Sequence, residues 1–231
     1  MAETSYLPKS KPMKPYFADD SVTIYHGDCR EILPTLEPVD LVLTDPPYGI
    51  SYKASQPNAI DYGKIVNDDC EFNPGFLLGF PNIVLWGANN FCHLLPSRGG
   101  WLVWDKRVTE AADKMMGSPF ELAWCNKKTL YKICRLQHGG AKNADARNGD
   151  VANQKRVHPT QKPVALMRWC IGQVFKGGDF SAAVIIDPFM GSGSTLRAAK
   201  DLGFRAIGIE IEEKYCEIAA ERMSQKVLQF D

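Results

Sequence analysis

Residues 184–210 leave the chain few ways to fold. A short apolar run, predicted as a strand over Ala183–Ile186, ends at Asp187. Gly191 and Gly193 follow and permit a tight turn with close backbone approach. Ser194 and Thr195 can open a helix, predicted over Thr195–Leu202, and a second strand over Arg205–Ile209 runs up to Glu210. Strand, glycine turn, helix and strand form a βαβ unit, which calls for a parallel sheet with ligands at the carboxyl ends of its strands.

The turn is built for a ligand without a pyrophosphate. It lacks the lysine of GxxxxGK[ST], and position 196, where a third glycine would stand, is Leu. Glu210, 19 positions after Gly191, is placed to accept from ribose hydroxyls. Asp187 and Asp28 can face a nucleoside with a cationic or zwitterionic tail without repelling it. A dinucleotide is the weaker alternative.

Further strands are predicted over Val22–Tyr25, Asp40–Thr44, Ile83–Trp86 and Trp101–Trp104, with helices over Pro163–Val174 and Glu212–Val227. Phe120–Trp124 reads as core. Ser51–Asp69 and Gln137–Val157 read as loops over a site. The expected architecture is α/β, a doubly wound and mostly parallel sheet. Residues 1–20 would be a flexible arm and residues 21–231 a single domain. No run of about 18 apolar residues occurs, so no membrane span is expected. The seven cysteines form no CxxC, which argues for reduced thiols in a cytosol rather than disulfides or a zinc site.

Net charge is zero, yet residues 126–168 hold ten Lys and Arg against two Asp. Such a local excess is the footprint of a polyanion site. Lys127, Lys128, Lys132, Arg135, Lys142, Arg147, Lys155 and Arg156 are its candidate nucleic-acid contacts. Segment 126–157 then reads as a small, loop-rich, basic insertion for contact with a polyanion.

One further stretch has no structural necessity. After the strand ending at Thr44 come Asp45, Pro46, Pro47 and Tyr48. Pro46 has no N–H, so its carbonyl is offered beside the Asp45 carboxylate, and two converging acceptors suit an exocyclic NH₂. Tyr48 offers a face on which a flat heterocycle can stack. Accepting from both N–H groups favours the pyramidal nitrogen that can attack a methyl on a sulfonium. A base inside a duplex cannot reach such a pocket and must be flipped out.

In their order along the chain these motifs resemble the β-type amino-group (adenine-N6 or cytosine-N4) DNA methyltransferases. Asp45-Pro46-Pro47-Tyr48 is similar to their catalytic motif. Asp187-Pro188-Phe189-Met190-Gly191-Ser192-Gly193-Ser194-Thr195 is similar to their S-adenosylmethionine loop. His158-Pro159-Thr160-Gln161-Lys162-Pro163 resembles the segment before that loop. The resemblance implies a circularly permuted, Rossmann-like methyltransferase sheet. It implies cofactor contacts from Asp187, Pro188, Phe189, Gly191, Ser192, Gly193, Ser194 and Thr195, and from Asp45. Glu210 would hold the ribose hydroxyls, Asp28 and Cys29 would lie near the adenine, and His158, Pro159, Thr160, Gln161 and Lys162 near the amino-acid end. It further implies duplex DNA with a flipped base as substrate, a homodimer, a cognate restriction endonuclease, and the cytoplasm of a bacterium or of a phage's host.

Adenine N6 is favoured because the family's cytosine-N4 members more often begin the motif with Ser. Cytosine N4 is the nearest rival. An RNA or protein-glutamine methyltransferase would more often begin with Asn, and a binding module would need no converging acceptors. A nicotinamide oxidoreductase is a distant alternative. Attack at cytosine C5 needs a Cys, usually after Pro, and no proline here is followed by Cys. Trp86-Gly87-Ala88-Asn89-Asn90 either shapes a target pocket or simply ends a strand.

Overall fold

The computed structural model describes residues 13–50, 66, 68–107, 118–136, 161–177, 180 and 182–225. In chain order the elements are β1 (Phe17–Ala18), β2 (Val22–His26), α1 (Cys29–Ile32), β3 (Leu41–Thr44), β4 (Ile83–Trp86), β5 (Gly100–Asp105), β6 (Phe120–Cys125), β7 (Tyr131–Arg135), α2 (Val164–Val174), β8 (Val184–Asp187), α3 (Ser194–Asp201), β9 (Arg205–Glu210) and α4 (Glu213–Ser224). Nine strands form one sheet in the order β1-β2-β9-β8-β3-β4-β6-β5-β7.

The central strands are apolar throughout because both of their faces are covered. Leu41, Leu43, Val84 and Trp86 point into a core shared with α2, α3 and α4. Val42, Ile83 and Leu85 point into the opposite one, with α1, Phe72 and Leu77. In α2, Val164, Met167, Cys170, Ile171 and Val174 are buried at helical spacing, and Pro163 precedes the first turn, where a missing N–H costs nothing.

Strands β2, β9, β8, β3 and β4 run parallel. β6 runs against both β4 and β5, and β7 is parallel to β5. One edge therefore collects the last residues of seven strands together with the first residues of β6. From β8 the chain winds outward to β9, and from β3 it winds the other way to β4. The β3–β8 junction is thus the switch point of the sheet, where open α/β folds bind ligands.

All six predicted strands and all three predicted helices are present, with ends shifted by a few residues. Two expectations change. Phe17 and Ala18, assigned to a flexible arm, pair with Ile24 and Thr23. Tyr131–Arg135, assigned to a loop-rich insertion, is a full strand in register with Trp101–Asp105. Its backbone finds hydrogen bonds along β5, and its exposed Tyr-Lys-Ile residues match an edge rather than a core.

Candidate active site

On the β8 side, the turn after Asp187 is tied down by backbone and buried side chains. Gly191 N–H donates to Glu210 Oε2 at 2.9 Å, and Glu212 N–H donates to Glu210 Oε1 at 2.9 Å. Gly193 has φ 77° and lies against Ala219 of α4, so a side chain there would be strained and crowded. Ser192, Ser194 and Thr195 are buried. The buried Arg222 of α4 donates to the Ser192 carbonyl at 3.0 Å and lies 3.3 Å from Ser194 Oγ. Arg222 had no signal in the sequence, because a lone Arg near the end of an amphipathic helix reads as a solvated residue.

Asp187 accepts from Thr44 Oγ1 at 2.6 Å and from the Phe189 N–H at 3.1 Å. Burial pushes its carboxyl up to about 6 against the pull of these bonds. Burial likewise raises Glu210. Among the described residues no Lys or Arg pairs with either acid. Acids without a cation of their own, beside a glycine turn, fit a ligand that carries hydroxyls and positive charge. S-adenosylmethionine meets both requirements, whereas a nucleoside phosphate brings hydroxyls but negative charge. Asp28 follows β2 on the same edge and caps α1, accepting from Arg30 N–H at 2.8 Å. Cys29 beside it is buried, and burial pushes its thiol up to about 12.

On the β3 side, Asp45 follows the strand beside Thr44, and its charge is felt at Asp187. The two motifs therefore meet across the switch point. Tyr48 hydroxyl donates to Asp45 Oδ1, and Lys162 Nζ donates to Asp45 Oδ2 at 2.5 Å. Lys162 Nζ also lies 3.2 Å from the Tyr48 hydroxyl and 3.0 Å from Glu121 Oε2. Lys106 pairs with the other Glu121 oxygen. Burial raises the Asp45 carboxyl, Lys162 pulls it back, and the Glu121 charge adds to the rise, which wins. Burial opposes the Lys162 ammonium, yet Asp45 and Glu121 hold its value well above the ordinary one. Burial also opposes the Glu121 charge, but Lys162 and Lys106 bring it down to about 2.

The Asp45 loop is clamped from below. Asp68 Oδ1 accepts from the backbone N–H groups of Tyr48 at 3.0 Å, Gly49 at 2.9 Å and Ile50 at 3.3 Å. Gly87, at φ 68°, carries no side chain where the Tyr48 ring lies, so a Cβ would run into that ring. The Trp86–Asn90 stretch thus seats the aromatic face. Sequence reading left Glu121 in a core segment and Asp68 at the end of a loop.

The other predicted residues divide. Lys162, expected at the cofactor's amino-acid end, meets Asp45. Lys127 and Lys128 follow β6 at the opposite edge of the sheet, and Lys127 Nζ donates to the Val174 carbonyl at 2.6 Å, closing α2. That edge lies away from Asp45. Lys132 is exposed on β7, and Arg135 ends β7 at the site edge, 3.6 Å from Asp105. Lys142, Arg147, Lys155, Arg156, His158, Pro159 and Thr160 lie outside the described residues. Among the described residues no three His, Cys, Asp or Glu are grouped to hold a metal, and no helix is long and apolar enough to cross a membrane.

A mostly parallel sheet with a glycine turn on one side of its switch point and a cation-linked acid on the other suits group transfer from a nucleoside-like ligand. The chain belongs to the N6/N4 DNA methylase family, whose model matches residues 100–221. It is 29% identical to the type II methyltransferase M2.DpnII of Streptococcus pneumoniae, over 91% of this chain and 92% of that protein. PvuII DNA methyltransferase, which is cytosine-N4-specific, shares the fold with a TM-score of 0.60 at 15% identity, over 94% of this chain and 91% of that one. M1.HpyAVI in complex with S-adenosylmethionine superposes with a TM-score of 0.50 at 21% identity, over 88% of this chain and all of that one.

Proposed function

We propose that this chain methylates adenine N6 in DNA, on a base swung out of the duplex. The observation that carries the reading is Asp45, an acid at the switch point whose oxygens face hydrogen-bond donors. S-adenosylmethionine is the cofactor, and when bound it supplies a methyl group on a sulfonium. Asp187, the turn from Phe189 to Thr195 and Glu210 would hold it, with Asp28 and Cys29 near its adenine. Asp45 accepts an N–H of the target amine, orients the nitrogen lone pair and takes up the proton that must leave. Tyr48 stacks on the base, and Asp68 and Gly87 fix the ring where the base arrives. Arg135, Lys132 and the basic residues from 142 to 156 supply phosphate contacts, which would give affinity and salt sensitivity with few base contacts. The chain from Phe17 onward acts as one methyltransferase domain.

Incubation with plasmid and labelled S-adenosylmethionine, followed by digestion to nucleosides, tests the reading. Label in N6-methyl-2′-deoxyadenosine supports it. Label in N4-methyl-2′-deoxycytidine moves the target to cytosine, the nearest rival.

A further inference from the structure

We propose that Glu121 is a positioning residue of the transfer centre, drawing the Lys162 ammonium away from Asp45 when the target amine enters. The inference rests on the reading of Asp45 as the acceptor of that amine. Both Asp45 oxygens already have an internal donor, Tyr48 hydroxyl on Oδ1 and Lys162 Nζ on Oδ2. An incoming N–H must share the carboxylate with these donors, and Lys162 Nζ, the charged one, competes with it most directly. The ammonium cannot retreat into water, because the Lys162 side chain is only 5% exposed. Glu121 Oε2, 3.0 Å from Nζ, is the second acceptor already within reach.

The geometry suits such an exchange. Lys106 holds the far oxygen of Glu121 and itself lies 4.9 Å from the Trp104 ring centroid, so the receiving carboxylate is fixed. Two carboxylates face two ammonium groups, and moving Lys162 between its partners changes no charge count. A nitrogen gaining a methyl gains positive charge until its proton leaves, and an ammonium resting on Asp45 opposes both events. The charge states agree with this division, since Glu121 is firmly ionised while Asp45 is the more easily protonated acid. Only the reversed direction of β6 brings Glu121 to this edge. Among the described residues, the charged or titratable groups facing Asp45 are Tyr48 of its own loop, Lys162 ahead of α2, Glu121 of β6 with Lys106 behind it, and Asp187 across the switch point.

The test compares Glu121→Gln, Glu121→Asp and Lys106→Gln with the parent in the full chain. It reads kcat and KM on a DNA substrate across pH, thermal unfolding, and calorimetric affinity for S-adenosylmethionine. In Glu121→Gln, Asp45 keeps Lys162 and loses a neighbouring negative charge. We expect kcat to fall about tenfold, the scale of one charged hydrogen bond. We expect the acid limb of kcat to move to lower pH, with cofactor affinity kept. Lys106→Gln leaves Glu121 less compensated and should move that limb to higher pH. Glu121→Asp should recover part of both effects.

A parent-like kcat and limb in Glu121→Gln overturns the inference. A lower kcat with a fixed limb, or limbs moving the same way in both variants, also overturns it, since a structural role alone predicts no opposed shifts. If Glu121→Gln does not fold, the direction of the Lys106→Gln limb decides. A parent that methylates no base removes the underlying reading and the inference together, whereas an active parent with an indifferent Glu121 removes the inference alone.

Discussion

Asp45 and Asp187 sit at the tips of neighbouring strands, on one edge, both largely buried, yet they are different acids. Asp187 meets a hydroxyl and a backbone N–H, and burial sets it at about 6. Asp45 meets an ammonium and a phenol within a chain of alternating charges. Strand position brings a carboxylate to the ligand, but its partners decide its work. An acid with neutral partners awaits a ligand that carries positive charge. An acid with a resident cation can exchange that cation for another donor.

The hardest blow to this contrast is Asp45→Ala. It should lower kcat by about 10³-fold, within the range of a lost proton acceptor, while S-adenosylmethionine still binds by calorimetry. Equal loss of cofactor binding would mean that the two acids are not separate. Gly87→Ala pushes the Tyr48 ring from its seat, and kcat should fall about 10²-fold, as for an ångström-scale misplacement. Asp68→Ala frees three backbone N–H groups under the Asp45 loop and should cost on the order of 1–3 kcal/mol of stability in denaturant titrations. Asp68→Asn keeps an acceptor and should cost less.

Asp187 sharpens the comparison through pH. Its folded value, about 6, lies above the ordinary 3.8. Its proton-linked stability is therefore present below about 4 and is lost as pH rises through about 6. The loss is at most about 3 kcal/mol between those limits. Asp187→Asn should show a flatter stability profile over that window in urea titrations. Lys127→Ala is the mildest change. It should lower stability by about 0.5–1.5 kcal/mol through the exposed end of α2, and leave DNA affinity at parent level.

The parts legible in the sequence were those whose signal is local. Val184–Ile186 with its glycine turn, and Asp45-Pro46-Pro47-Tyr48, carry their meaning within a dozen residues. Strands β3 and β4 announce themselves because burial on both faces forces unbroken apolar runs. β7 did not, because an edge strand tolerates Lys132 and Arg135, and the local charge read as a loop. Glu121 and Asp68 are single acids in ordinary surroundings. Their roles come from contacts with Lys162 and the Tyr48 backbone, and no spacing rule encodes those contacts.

The pairing of β3 with β8 has a consequence for biosynthesis. Thr44 and Asp187, joined by a hydrogen bond, lie 143 positions apart. A ribosome releases the first half of the protein long before the partner strand exists, so one margin of β3 waits unpaired during translation. Lys162, too, emerges after Asp45. A nascent or prematurely ended chain therefore holds Asp45 without the donor seat beside it, and the genome meets no working catalyst until synthesis has passed the second strand.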